Sequence, residues 1–104
     1  MEWLVEITVQ LPPDLAEERR AELLRAELER GTALAQAGVL RAIWRVPGRH
    51  ANCGIWSAPD ATALHAALVS LPLWPYLAAT VTPLATHPLT ATCAGLAPAL
   101  SRES

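Results

Sequence analysis

The chain has 104 residues, of which 52% are hydrophobic and 17% are charged. This balance is typical of one globular domain with an apolar core and argues against a disordered chain. The formal net charge is −2, and the eight basic residues are arginines interspersed with acids, so no basic surface for nucleic acid is indicated.

The N-terminus and the cysteines bear on the cellular compartment. Residues 1–6 lack the basic flank and long apolar run of a signal peptide, and no apolar run reaches the roughly 20 residues that span a bilayer. Cys53 and Cys93 have neither a CxxC partner nor metal-ligand spacing, which predicts two reduced thiols. We therefore expect a cytoplasmic protein.

The first predicted elements are a strand and a long helix. Residues 2–11 alternate between apolar and polar side chains, which predicts a half-buried strand. Pro12 and Pro13 end this strand, and Asp14 is a candidate N-cap. A helix is predicted over residues 14–37, with Gly38 as its C-terminal stop.

The second half of the chain predicts a hairpin, a helix and a last strand. Residues 39–46 and 50–57 read as strands joined by a turn at Pro47 and Gly48. A second helix follows Asp60 and ends at Pro72. A short strand is predicted over residues 77–84.

The resulting order, βαββαβ, is that of an α+β ferredoxin-like fold, in which two helices cover one face of an antiparallel sheet. The other sheet face stays uncovered, so association between copies is expected. Residues 1–88 form the predicted domain. Residues 89–104 have no periodicity and read as an extended C-terminal tail, either disordered or laid over a neighbouring subunit.

Glu27 interrupts an apolar stripe on the first predicted helix. A projection at 100° per residue gathers Leu23, Leu24, Leu28, Leu34 and Ala35 on one side, and Glu27 falls among them. An unpaired ionised carboxylate there costs several kcal/mol, so it tends to be paired, protonated or placed at a cavity. Either Glu27 pairs with Arg20 or Arg30 in solvent, or it is a general base whose pKa burial raises.

The hairpin carries a second group of polar residues. Alternation places His50 and Asn52 on one face of their strand, and Arg41, Ile43 and Arg45 on one face of theirs. Facing the helices, these side chains would form a site; facing solvent, they would carry no functional meaning.

Other enzyme classes find no support in the sequence. His65 and His87 accompany no nucleophilic Ser or Cys, and the chain contains neither a glycine-rich phosphate loop nor a metal-binding motif. Hydrolase, kinase and metalloenzyme activities are therefore not indicated.

Several short segments together resemble the muconolactone δ-isomerase family from about residue 1 to residue 88. They are Ile43-Trp44-Arg45 followed by Gly48 and Ala51-Asn52, then Ala63-Leu64-His65, then Leu71-Pro72-Leu73-Trp74-Pro75-Tyr76. The resemblance implies a dimeric α/β barrel, often assembled into a decamer. It also implies isomerisation of muconolactone to 3-oxoadipate enol-lactone in catechol degradation, without a cofactor.

The resemblance also implies a site. Glu27 falls on the family's catalytic position, while His50, Asn52 and either Arg41 or Arg45 would hold the lactone and its carboxylate. The implied apolar walls are Trp44, Trp74 and Tyr76.

Three positions depart from the family pattern, and they leave alternatives open. His50 and Cys53 stand where the family commonly has Tyr and an aromatic residue, and Arg20 replaces a usual Lys. The alternatives are a chloromuconolactone dehalogenase, a related enzyme recruited to another pathway, a non-catalytic ligand-binding relative, and a haem-free oxygenase of the wider barrel group.

Overall fold

The computed structural model describes residues 1–93, which contain four strands and two α-helices. In chain order these are β1 (Glu2–Val9), α1 (Glu17–Gln36), β2 (Leu40–Arg45), β3 (Ala51–Ser57), α2 (Ala61–Val69) and β4 (Leu77–Leu84). Short 3₁₀ turns at Trp74–Tyr76 and Thr90–Thr92 lie on either side of β4. The predicted order βαββαβ is confirmed.

The four strands form one antiparallel sheet in the order β2-β3-β1-β4. Both helices pack on one face of it, because a single buried cluster joins alternate residues of β1 to both helices. That cluster includes Trp3, Val5 and Ile7 of β1, Leu34 of α1, and Leu64 and Leu68 of α2. The α+β ferredoxin-like fold is thus confirmed.

Helix α1 begins three residues later than predicted. Leu15 N–H donates to Pro12 O at 3.2 Å, so the chain makes a turn there and Ala16 is the N-cap. Glu17 and Glu18 occupy the first turn, where negative charge complements the positive end of the helix. At the other end, Gly38 has φ +79°, a left-handed conformation that glycine adopts without strain.

The predicted apolar stripe of α1 is partly wrong. Leu23 and Leu34 are buried, but Leu24 and Leu28 are 43% and 73% exposed, and Ala35 is also exposed. The packed face follows positions 23, 27 and 34, whereas 24, 28 and 35 lie one residue further around the helix. Glu27 is therefore on the packed face itself.

A bulge interrupts β2 between Leu40 and Ala42. Ile43 and Arg45 pair with Gly54 and Asn52 and share a face, as predicted, but Arg41 lies at the interruption and leaves that alternation. Next to the bulge, the main chain of β2 at Ala42 comes close to Gly54 of β3. Glycine permits this approach, since a Cβ at position 54 would lie 2.5 Å from Ala42 O.

No helix within residues 1–93 is long and apolar enough to cross a membrane. Cys53 and Cys93 are free cysteines in this structure, Cys53 half-buried and Cys93 exposed. Residues 94–104 of the predicted tail lie outside the described part of the chain, so the tail and the domain boundary at residue 88 stay predictions.

Candidate active site

An open cleft of about 580 Å³ lies beside the N-terminal half of α1. The end of β1 and the loop after it, the β2–β3 hairpin, and the turn before β4 complete its walls. Its apolar lining is Val9, Leu11, Pro12, Pro13, Leu24, Ala51 and Leu73. Its polar lining is Arg20, Glu27, Arg45, His50 and Asn52.

Glu27 is half-buried in this cleft. Burial raises the pKa of its carboxyl group above the ordinary glutamate value, and a hydrogen bond from Leu73 N–H to Oε1 at 3.0 Å offsets part of that rise. In the described residues Glu27 forms no ion pair, and Arg30 instead donates to Ser70 Oγ at 2.9 Å. The geometry therefore matches a carboxylate in a cavity better than a surface pair.

His50 and Asn52 reach the same cleft as Glu27, as the strand alternation predicts. His50 precedes β3, and its carbonyl accepts a hydrogen bond from Val9 N–H at 2.8 Å. Asn52 pairs with Ile7 across β1–β3, which places it on the helix-covered face. Its Oδ1 is buried and has no hydrogen-bond partner within residues 1–93. A buried amide oxygen without a partner costs free energy of folding.

The charges around the cleft favour an anionic ligand. Arg20 and Arg45 contribute two guanidinium groups, while Glu27 is the carboxylate in the lining. Guanidinium groups bind carboxylates through paired, charge-assisted hydrogen bonds. A small molecule carrying a carboxylate has the matching chemistry.

Four of the predicted site residues do not line this cleft. Trp44 pairs with Cys53, one position from the Arg45–Asn52 pair, so it lies on the opposite sheet face and is 49% exposed. Trp74 makes an edge-to-face contact with His65 at 5.9 Å between ring centroids. Tyr76 and Arg41 are also absent from the lining. Within one chain, the apolar walls come instead from the end of β1 and the loop after it, together with Leu24, Ala51 and Leu73.

The muconolactone delta-isomerase family matches residues 1–90. This chain belongs to that family. It is 41% identical over 83 residues to muconolactone delta-isomerase 2 of Acinetobacter lwoffii, which covers 80% of this chain and 86% of that protein. It is 36% identical over 84 residues to muconolactone delta-isomerase of Pseudomonas aeruginosa, covering 81% and 88%.

The fold agrees with that of a solved family member. A crystal structure of muconolactone isomerase at 3.3 Å resolution superposes with a TM-score of 0.80 and 36% identity. The match covers 85% of this chain and 92% of that chain. The resemblance expected from the sequence motifs is therefore confirmed.

Besides its apolar side chains, the cleft of this isomerase-family chain has two polar groups that were not predicted as parts of the site, the Arg20 side chain and the Leu73 main-chain N–H. Helical spacing does place Arg20, seven positions before Glu27, on the same side of α1, but the sequence analysis considers it only as an ion-pair partner of Glu27. Leu73 contributes a main-chain N–H, which a pattern of side chains does not predict. Within the described residues, no three His, Cys, Asp or Glu side chains come together as metal ligands.

Proposed function

We propose that this chain is a cofactor-independent isomerase that converts (S)-muconolactone to 3-oxoadipate enol-lactone in catechol degradation. Family membership supports an isomerase, and the cleft supplies the chemistry. The observation that carries the proposal is Glu27, a half-buried carboxyl group in a cleft that also holds guanidinium groups.

The reaction needs one base that returns its proton. The Glu27 carboxylate removes the proton from the γ-carbon, the saturated ring carbon bonded to the far end of the conjugated double bond, and the electron pair of that C–H bond moves into the conjugated system. A dienolate results, and its negative charge is spread to the carbonyl oxygen of the lactone. The protonated Glu27 then delivers the proton to the carbon beside the carbonyl group, which shifts the double bond. A base whose pKa lies closer to working pH performs both transfers well.

The remaining polar residues hold the substrate and its developing charge. The side-chain NH₂ group of Asn52 and the imidazole N–H of His50 can donate hydrogen bonds to the carbonyl oxygen of the lactone as the dienolate forms. Arg45 is the arginine of the hairpin that lines the cleft, so we assign it, rather than Arg41, to the substrate carboxylate.

We propose further that two chains pair through their open sheet faces to form the dimeric barrel, with a decamer as the larger assembly. The exposed Trp44 on that face supports this pairing, since a large aromatic side chain gains most by burial. Sedimentation at micromolar concentration tests the proposal, and a strict monomer would contradict it. The cytoplasmic location stays a prediction.

The decisive experiment compares wild-type enzyme with Glu27→Gln. Gln keeps the size and the acceptor for Leu73 but removes the base, so turnover of muconolactone should fall about 10²–10⁴-fold. Glu22→Gln is the matched control, because Glu22 is 59% exposed and, within residues 1–93, its ion pair is with exposed Arg19 at 3.4 Å. Ultraviolet absorbance follows the lactone, and solvent deuterium incorporation follows the proton.

The same assay separates the alternatives. Near-normal turnover by Glu27→Gln would refute the assigned role. His50 lies in the cleft at a position where the family commonly has Tyr. This difference favours a lactone with other ring substituents, including a chloromuconolactone, as the second candidate substrate. Turnover of that lactone, but not of muconolactone, by the wild type would keep Glu27 as base and change the substrate.

A further inference from the structure

The segment Leu71–Tyr76 directs one of its amides to the carboxylate of Glu27. Pro72 and Pro75 have no N–H group, which leaves four amides in the segment. Three of them donate to main-chain carbonyls: Leu71 to Leu68, Trp74 to Leu71, and Tyr76 to Leu73. The fourth, Leu73 N–H, donates to Glu27 Oε1 at 3.0 Å across 46 residues of sequence.

A second contact fixes the same two parts of the chain. Arg30 Nε donates to Ser70 Oγ at 2.9 Å, and Ser70 Oγ in turn donates to Ala67 O at 2.6 Å. Glu27 and Arg30 are three residues apart on α1, and their partners Ser70 and Leu73 are also three residues apart. Helix α1 is therefore held to the end of α2 and to the turn after it at the level of the carboxylate.

We propose that the Leu73 main-chain N–H is a positioning group that gives the two Glu27 oxygens different roles: Oε1 is anchored, and Oε2 exchanges the proton with the substrate. The inference rests on the proposed function of Glu27 as the base. Anchoring one oxygen stops the carboxylate from turning about its last bond, and a reacting group displaced by 1 Å loses about a hundredfold in rate. In the described residues Leu73 N–H is the hydrogen-bond donor to Glu27.

The anchor also acts on protonation. A donor to the carboxylate stabilises its ionised form and lowers the pKa, against burial, which raises it. The other charged or titratable groups around the cleft are Arg20 of α1, Arg45 of β2 and His50 before β3. Removal of the Leu73 N–H does not change any of these side chains. Loss of the anchor should therefore raise the pKa of Glu27.

The test replaces Leu73 with its α-hydroxy acid analogue, leucic acid, in full-length protein assembled by ligation. The side chain stays, but an ester oxygen takes the place of the N–H. We expect kcat for muconolactone to fall about 10- to 100-fold with little change in KM. The acid limb of the pH profile and the Glu27 pKa, read by ¹³C NMR of the labelled carboxyl group, should both move upward.

The matched control is the same replacement at Leu71. It removes one main-chain hydrogen bond, Leu71 N–H to Leu68 O at 3.1 Å, in the same segment and with the same side chain. This variant should lose similar thermal stability but keep the wild-type Glu27 pKa and acid limb. An unchanged Glu27 pKa and acid limb in the Leu73 ester, or equal shifts in both esters, would overturn the proposal.

The unmodified enzyme offers a measurement that needs no variant. If the hydrogen bond exists in solution, the Leu73 amide proton shift titrates with the same pKa as the Glu27 carboxyl carbon, while the Leu71 amide does not. A Leu73 amide that ignores this titration overturns the inference. A wild type without turnover of any unsaturated lactone defeats the proposed function instead, and the NMR titration still decides the hydrogen bond.

Discussion

Arg45 and Asn52 are direct cross-strand partners of β2 and β3, and both line the cleft. Residues opposite each other on antiparallel strands project from the same face, so the guanidinium and the amide form one polar wall. Glu27 lies on α1, which packs over that face of the sheet. A ligand held by this wall therefore lies between the two strands and the base.

Arg45→Gln should weaken binding of the substrate carboxylate. The variant keeps a hydrogen-bond donor but loses the positive charge, so KM for muconolactone should rise about 10- to 100-fold, as expected for a charge-assisted hydrogen bond. The change in kcat should be smaller, because the carboxylate is distant from the bonds that change. Steady-state kinetics on both variant and wild type give the two constants.

Arg49→Gln is the control for this experiment. Arg49 is exposed in the turn between β2 and β3 and does not line the cleft, so its KM should stay within about twofold of wild type. An uncharged butenolide without the carboxylate should bind wild type and Arg45→Gln alike. Equal losses for charged and uncharged lactones would remove Arg45 from the carboxylate site.

Glu27 should also make stability depend on pH. Its pKa is higher in the folded chain than in the unfolded chain, because burial disfavours the ionised form. Below the unfolded pKa the carboxyl is protonated in both states and carries no penalty. As the pH rises through the folded pKa, ionisation costs folding free energy in the native state. Stability from this group is therefore lost as the pH rises.

Glu27→Gln should accordingly be more stable than wild type at pH 7, by about 2–5 °C in melting temperature, and similar to it near pH 3. Thermal unfolding followed by circular dichroism at both values checks this. Glu22→Gln, on the exposed side of α1, is the control for the loss of one carboxylate, and the gain at pH 7 should be specific to Glu27→Gln. A gain for Glu27→Gln that is the same at both pH values would point to a cause other than ionisation.

The sequence predicts the strands and helices well because their signals are local. Alternation along β1 and the proline and glycine positions define most elements, and Glu27 stands out because a carboxylate interrupts leucines. The predicted apolar stripe includes Leu24 and Leu28, which are exposed, because a helical projection does not reveal which part of the apolar arc meets the sheet. That choice depends on how the helix packs, which is a tertiary property.

The cleft was less predictable for similar reasons. The bulge that displaces Arg41 lies next to the close approach of Ala42 to Gly54, and no residue of β2 signals it. The Leu73 N–H is a main-chain donor, so its role depends on the path of the chain after α2 rather than on a side-chain type. Alternation did bring His50 and Asn52 together, since that relation is local to one strand.

Ser70→Ala should loosen the contact that holds α1 to the end of α2. The variant removes the acceptor of Arg30 Nε, so the Glu27 carboxylate is held less firmly and kcat should fall about two- to fivefold at constant KM. Ser70→Thr keeps the hydroxyl group and should restore the rate. If Ser70→Ala and Ser70→Thr are equally slow, the hydroxyl does not act through Arg30.

Gly54→Ala should destabilise the sheet next to the cleft. A Cβ at this position would lie 2.5 Å from Ala42 O, a main-chain atom that cannot move without shifting β2 away from β3. Overpacking of this kind costs about 1–3 kcal/mol, which lowers the melting temperature by about 5–15 °C. Because Gly54 lies two residues after Asn52 and opposite Ile43, the shift should also raise KM for the lactone.

Gly31→Ala in α1 is the same substitution at a site with free space, and we expect it to have the opposite effect on stability. Nothing in the described structure lies within 4 Å of a Cβ at Gly31, and its backbone is helical, so alanine fits without strain. Alanine reduces the conformational freedom of the unfolded chain, and the variant should gain about 0.4–1 kcal/mol of stability. Melting temperatures of both variants should therefore move in opposite directions, with Gly31→Ala keeping wild-type kinetics. A similar drop in melting temperature for both variants would contradict the free space around Gly31.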